Sequence, residues 1–405
     1  YKLKEMVRLA VRGKLQMASF LQFMENASRI IHMVSGQFEL ASFSFFKRLK
    51  GNVTPEKQKS FARFFRKLIK KIDAWDSEDM LYLHFADYFE ELITEFSRMK
   101  KETFLSDGLF SLFKLFFDHS GSPMDRVILP YFKYGRLLGA LTDNDYLTEM
   151  YGYEDQADYI EILNILCYMK NLPFANTHFL SEEEWYEQNG LGASADRIAI
   201  FMPDGAGNGE LMCRYEDLPY KKDFLSSRTK GELPFLMSAL PFLKENGSLV
   251  AVFPSAMLYR EGKEAQMRKF LMEDLNCLDS VMLLPDQLFQ SSGQKEVLLY
   301  LKFNRDRKDI MFFDATDLGK LEEEDFTRIE DALKNRESEA GFCACASPED
   351  IRKNDYNLNL PRYIAKSVKE IILDVHAQRL RIEEIDKELI EIDKKILMYK
   401  RDLEL

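Results

Sequence analysis

The stretch DRVILPYFKYGRLL, Asp125 to Leu138, holds the residues best placed to meet a ligand. It reads as a short apolar strand, a turn on Pro130 and Gly135, and the start of a helix. That is the order in which an open α/β sheet builds the crevice beyond its strand ends. A nucleotide-like ligand asks for glycines in such a turn, because a bare backbone approaches closely and aims its amides at the ligand. Here the turn carries Tyr131, Phe132, Lys133 and Tyr134. The expectation is a crevice occluded by its own aromatic side chains. The remaining candidates for chemistry are carboxylates near other apolar runs, Glu154, Asp196 and Asp204. A small-molecule enzyme could reuse them, but they form no nucleophile or acid/base constellation.

Metal chemistry finds no support. The five histidines, His32, His84, His119, His178 and His376, stand apart from one another, and Cys343 with Cys345 is a CxC rather than a paired CxxC. Five scattered cysteines suit a reducing cytosol, and no apolar run approaches the roughly 20 residues of a membrane span. With no signal peptide visible, a cytoplasmic protein is expected. The chain starts at Tyr1 rather than Met, so residues ahead of it are expected to be missing. Its 405 residues suffice for two or three domains, and a net charge of −11 argues against coating nucleic acid with the whole surface.

The elements that must position these residues change character along the chain. Residues 1 to 118 read as a helical domain rich in Phe. Thr54-Pro55-Glu56 supplies an N-cap, a first-turn proline and an acid, opening a helix. Its basic residues Lys57, Lys59, Arg63, Arg66, Lys67, Lys70 and Lys71 alternate with Phe61, Phe64, Phe65, Leu68 and Ile69. This is the densest positive charge in the sequence, and it is either a solvated face or a surface that tracks DNA phosphates through Lys57, Arg63, Arg66, Lys67 and Lys70. Further helices are expected at Ser77 to Met99 and Asp107 to Phe117.

From residue 119 to 363, short apolar strands alternate with helices. Strands are expected at Val127 to Leu129, Glu149 to Tyr153, Arg197 to Met202, Ser248 to Phe253, Asp279 to Leu284, Glu296 to Phe303 and Asp309 to Asp314. Helices are expected at Asp158 to Lys170, Glu232 to Leu243, Gly262 to Glu273 and Leu321 to Lys334. This alternation implies an α/β fold with a doubly wound, mostly parallel sheet. SLVAVF, Ser248 to Phe253, is apolar throughout, as a strand covered on both faces should be. The last segment, 364 to 405, carries an aliphatic stripe amid dense charge without Gly or Pro, and reads as a long C-terminal helix for coiled-coil or partner contact.

The tract NDYNLNLPRYI, Asn354 to Ile364, and the long run GELPFLMSALPFLKENGSLVAVFPSAMLYREGKEAQMRKFLMEDLNCLDSVMLLPDQLFQSSGQKEVLLYLK, Gly231 to Lys302, resemble the modification (M) subunit of type I restriction-modification systems. These are adenine-N6 DNA methyltransferases. The resemblance implies a Rossmann-like class I methyltransferase domain between a helical domain and a tail helix. LKEMVRLAVRGKL, Leu3 to Leu15, is similar to a helix of the specificity subunits of such systems, which implies a fused or rearranged arrangement.

The family's functional positions can be followed onto this chain. Its Phe-Tyr-Thr-Pro stretch falls on Phe104, Leu105, Ser106 and Asp107, where only the aromatic persists. Its glycine-rich cofactor loop falls on Leu129 to Arg136, where Pro130 and Gly135 alone match and Leu129 and Lys133 stand among the replacements. The acid that grips the ribose hydroxyls of S-adenosylmethionine is matched by Glu154. The catalytic Asn-Pro-Pro-aromatic motif, whose Asn accepts from the exocyclic amine and whose ring stacks on the flipped base, falls on Phe201, Met202, Pro203 and Asp204. Phe201 cannot accept that hydrogen bond and Asp204 cannot stack. A shifted register, with Asp204 for the Asn and Tyr215 or Tyr220 for the ring, would be needed to rescue it.

The resemblance therefore implies an M-type scaffold with degenerate cofactor and catalytic loops, no bound cofactor, and a role in DNA binding or complex assembly. Its expected partners are DNA, a specificity-type subunit, and an active M or restriction subunit held through the C-terminal helix, with no membrane. The alternative is an active S-adenosylmethionine-dependent adenine-N6 methyltransferase with divergent motifs, or one completed by a second M subunit.

Overall fold

The computed structural model describes residues 107–119, 126–131, 149–154, 177–187, 195–202, 231–289 and 295–364, with a few isolated positions between and beyond them. The chain divides into two compact units, 1–365 and 366–405. The basic helix near Lys57 to Lys71, the segments at Leu3 to Leu15, Ser77 to Met99 and Asp158 to Lys170, and the coiled-coil stripe lie outside the described residues, except Ile392 within the stripe.

The first unit is built on one nine-stranded sheet. Its strands are β1 (Arg126–Pro130), β2 (Glu149–Glu154), β3 (Thr177–Ser181), β4 (Ala195–Phe201), β5 (Leu243–Pro254), β6 (Leu278–Leu283), β7 (Glu296–Lys302), β8 (Ile310–Asp314) and β9 (Cys343–Ala346). The spatial order is 3-2-1-4-5-7-6-8-9. Strands β1 to β5 pair in parallel, β7 runs antiparallel between β5 and β6, β6 and β8 are parallel, and β9 closes the edge antiparallel to β8. The mostly parallel, doubly wound sheet expected from the sequence is thus present. Strand order reverses between β1 and β4, which makes the carboxyl ends of those two strands the place for a ligand crevice.

The sheet separates two apolar cores. In β5, Leu249, Ala251 and Phe253 face one core while Val250 and Val252 face the other, all five fully buried. Alternate side chains of a strand point to opposite faces, so a strand buried on both must be apolar at every position. Helix α1 (Asp107–His119) seals the second core: Leu109, Leu112, Phe113, Phe116 and Phe117 pack beside Val250, Leu298 and Tyr300. Helix α1 thus packs directly on the sheet. The first core is covered by α2 (Glu182–Glu187), α3 (Glu232–Ala239) and α4 (Lys263–Glu273).

Three local readings need correction. The helix expected over Glu232 to Leu243 ends at Ala239, with a single 3-10 turn over Leu240–Phe242. Pro241 has no N–H to give the ladder and clashes with the turn behind it, so the chain tightens and feeds into β5, which begins at Leu243. Helix α2 was missed although Ser181 and Glu184 form a reciprocal cap, with Glu184 accepting from Ser181 N and Ser181 Oγ accepting from Glu184 N. Between α5 (Glu323–Asn335) and the chain's last described turn, β9 and α6 (Pro348–Lys353) were also missed. Ser347 caps α6 with Pro348 in its first turn and Asp350 completing a capping box.

Candidate functional site

Local chemistry explains how the carboxyl edge of the sheet is built. β1 runs out at Pro130, and Tyr131 follows with φ 48°, a left-handed turn made without glycine. Such a backbone costs an L-residue of the order of 1 kcal/mol or more, and packing offsets it. The Tyr131 N–H donates to the Tyr153 carbonyl at 2.9 Å, extending the β1–β2 pairing by one residue. Its ring lies edge-on to Tyr153, centroids 5.0 Å apart, and 5.8 Å from Phe235 of α3. Tyr153 in turn stacks on Trp185 at 4.9 Å, and Trp185 leans on Phe242 and donates its indole N–H to the Met212 carbonyl. Tyr131 thus ends a column of aromatic rings.

The described part of this turn offers few backbone donors to a ligand. Pro130 has no N–H, the Tyr131 N–H is engaged with Tyr153, and Leu129 is buried. Glu154 closes β2 in register with Ser181, at the same edge. Phe132, Lys133, Tyr134 and Gly135 lie outside the described residues.

At the end of β4, Phe201 and Met202 are both buried. Met202 faces the first core and donates its N–H to Val252 O at 2.9 Å, carrying the β4–β5 pairing past the strand. Phe201 turns to the second core, where its ring lies parallel to Phe289 with centroids 6.4 Å apart. Phe201 is therefore an apolar packing residue. Pro203, Asp204, Tyr215 and Tyr220 lie outside the described residues.

Asp196 belongs to the opposite edge. It takes the Arg126 N–H at 2.9 Å and pairs with Lys244 at 2.9 Å, fastening the amino ends of β1, β4 and β5. Whatever Glu154 does at the carboxyl edge, Asp196 cannot share it, so the structure separates two of the three carboxylates that a reused small-molecule site would need. Among the described residues, no group of His, Cys, Asp and Glu could hold a metal ion, and no helix is long and apolar enough to cross a membrane.

The N-6 DNA methylase family model matches residues 144–370, more than half of the chain. The chain belongs to the N-6 DNA methylase family. Among curated proteins it is 32% identical over 169 residues to the methylase subunit of type I restriction enzyme MpnII of Mycoplasma pneumoniae, covering 40% of this chain and 31% of that protein. It is also 32% identical over 153 residues to the MjaVIII methylase subunit of Methanocaldococcus jannaschii, covering 35% of this chain and 26% of that one. The matches thus span about a third or less of these relatives. In fold it is similar to the crystal structure of a type I restriction-modification methyltransferase subunit from Streptococcus thermophilus, with a TM-score of 0.62, 20% identity, and coverage of 89% of this chain and 80% of that one.

The tract that most resembles this methylase family, Asn354 to Ile364, is a clamp in this structure. Asp355 and Tyr356 both take left-handed backbone, φ 52° and 57°, folding the chain back on α4. Arg268 of α4, 2% exposed, donates to the Tyr356, Met257 and Arg260 carbonyls at 2.8, 2.8 and 2.7 Å. Leu358 N donates to Leu258 O at 2.9 Å, Tyr363 lies flat on Phe312 at 4.2 Å, and the Tyr356 hydroxyl reaches Glu273. One buried guanidinium thus joins this tract to the loop after β5. Burial pulls its pKa down to about 10, which still leaves it charged at neutral pH.

Proposed function

We propose that this chain is a methylase-type subunit of a type I restriction-modification or related anti-phage system, degenerate in chemistry and acting in DNA binding or complex assembly. The observation that carries the proposal is Phe201. Where adenine-N6 transfer needs an acceptor for the amine, the chain places a buried ring against Phe289. The β1 turn supports the same reading, since Tyr131 fills its own corner with an aromatic ring and commits its N–H to Tyr153. The described residues of that turn fit the methionine and ribose of S-adenosylmethionine poorly. Calorimetric titration with S-adenosylmethionine tests this directly. No heat up to millimolar ligand is expected, and micromolar binding would overturn this reading in favour of the alternative, an active methyltransferase with divergent motifs.

The DNA contact is assigned to Lys57, Arg63, Arg66, Lys67 and Lys70, and the partner contact, to a specificity-type, M or restriction subunit, to the C-terminal segment. Each phosphate neutralised releases counterions, so affinity falls with salt in proportion to the number of contacts. Reversing the charge of Arg63, Arg66, Lys67 and Lys70 together is expected to weaken duplex binding and to flatten its salt slope by about 3–4. An unchanged slope would mark that helix as a solvated face.

A further inference from the structure

Met212, in the connection between β4 and α3, is fastened by both of its backbone groups. Its N–H donates to Ser238 Oγ of α3 at 2.8 Å, and its carbonyl accepts from Trp185 Nε1 of α2 at 2.9 Å. Side chains of two different helices make these bonds, and all three residues are buried. Water cannot replace either bond unless the contact opens, so each holds firmly. Leu218, farther along the same connection, is buried in the same core.

From Met212 the contacts run by two routes to the β1 turn. Along one, Trp185 stacks on Tyr153, which meets the ring of Tyr131 at 5.0 Å. Along the other, the Ser238 hydroxyl donates to the Phe235 carbonyl at 2.7 Å, and the Phe235 ring lies 5.8 Å from Tyr131. Six residues from the β1 turn, β2, α2, the β4–α3 connection and α3 thus close a circuit. Tyr131 has left-handed backbone, φ 48°, and a strained residue of that kind persists only while its surroundings hold it. Loss of any support in the circuit therefore favours release of the turn.

We propose that the β1 turn and the connection at Met212 form one latch over the crevice corner, opening and closing as a unit. A partner that draws the chain away at Met212 then also uncovers the corner filled by Tyr131. The inference rests on the reading of Tyr131 as the side chain that fills that corner, and it adds the means by which the corner is kept shut.

The test is amide exchange on the full chain at single-residue resolution, scaled to the amides of β8. Ser238→Ala removes the bond to Met212 N and leaves every ring in place. It is expected to speed exchange at Met212 and, through the circuit, at the Tyr131 amide, which donates to Tyr153 O, by roughly tenfold. The reverse arm uses Tyr131→Ala, a half-buried residue at the rim, and should speed exchange at Met212 by a similar factor. Coupling between two sites is reciprocal, so acceleration in one direction only would overturn the latch, as would changes confined to the substituted neighbourhood in both variants. Micromolar binding of S-adenosylmethionine by the wild type would overturn the occluded corner, whereas the exchange rates alone decide the coupling.

Discussion

Replacing Asp279 by alanine is expected to destabilise the sheet domain by about 3–5 kcal/mol, the cost of breaking a buried ion pair from one side. Asp279 lies at the start of β6 and is 5% exposed. Arg305 sits 3.0 Å from its carboxylate and Arg336 2.5 Å, while Ser280 donates its hydroxyl at 2.7 Å. Both guanidinia are nearly as buried as the acid. Removing the carboxylate strands two cations where water cannot reach them. For a domain of this size the melting temperature should fall by roughly 10 °C. Adding Arg336→Met to Asp279→Ala should return part of that loss, because one stranded charge goes with it. If the double variant is less stable than Asp279→Ala, the charges are not what the acid was balancing.

The acid limb of stability gives a second handle on the same group. Burial alone would raise the Asp279 carboxyl, but Arg305 and Arg336 more than reverse this and hold it below the ordinary carboxylate value. A group whose folded pKa is depressed contributes fully above its unfolded value, about 3.9, and loses that contribution as pH falls through the lower folded one. Wild type and Asp279→Ala should therefore differ most above about pH 4–5 and converge below it. Melting curves across pH 2 to 7 check the sign.

The parts of this fold that could be read from sequence are those whose cause is local or periodic. β5 is apolar at every position because it serves two cores, and that pattern is visible in SLVAVF without any structure. The caps at Ser181 and Ser347 carry equally local signals, S-x-x-E and S-P-x-D, so α2 and α6 were within reach. The loop residues of the crevice were legible differently. Lys133 and Arg136 in the place of loop glycines and Phe201 in that of asparagine showed that those residues were gone, but not what the rings of Tyr131 and Phe201 would do. Only packing reveals that one joins Tyr153 and Phe235 and the other Phe289. Asp279 and Arg336 stand 57 positions apart, and Arg268 is 88 from Tyr356. No spacing rule links residues that distant. The exposure of Tyr259 was hidden for the same reason, since Met257 and Leu258 on the same loop are buried and nothing in the run SAMLYREG separates them from it.

Arg268→Met is expected to have the second large effect, and its consequences should reach the loop that carries Tyr259. The substitution keeps much of the side-chain volume but removes the donors to the Tyr356, Met257 and Arg260 carbonyls. Hydrogen bonds from a charged donor contribute about 1.5–3 kcal/mol each, and carbonyls left buried without a partner add their own desolvation cost. Water can reach some of these oxygens once the clamp opens, so a net loss of about 3–4 kcal/mol is the reasonable figure rather than the full sum. Both ends of the clamp should loosen together. Backbone amides of Leu358, which donates to Leu258 O, and of Tyr259 should exchange with solvent at least tenfold faster, while those of β4 and β8, away from the clamp, keep their relative protection. Arg268→Lys offers one cation and too short a fork to reach three carbonyls, so it should lie between wild type and Arg268→Met. If Arg268→Met melts lower but exchange at Leu358 and Tyr259 does not accelerate relative to the strands, Arg268 serves the core of α4 alone. In that case the Asn354 to Ile364 tract holds its place through Tyr363 on Phe312 and the Arg352–Glu273 pair without help from the guanidinium.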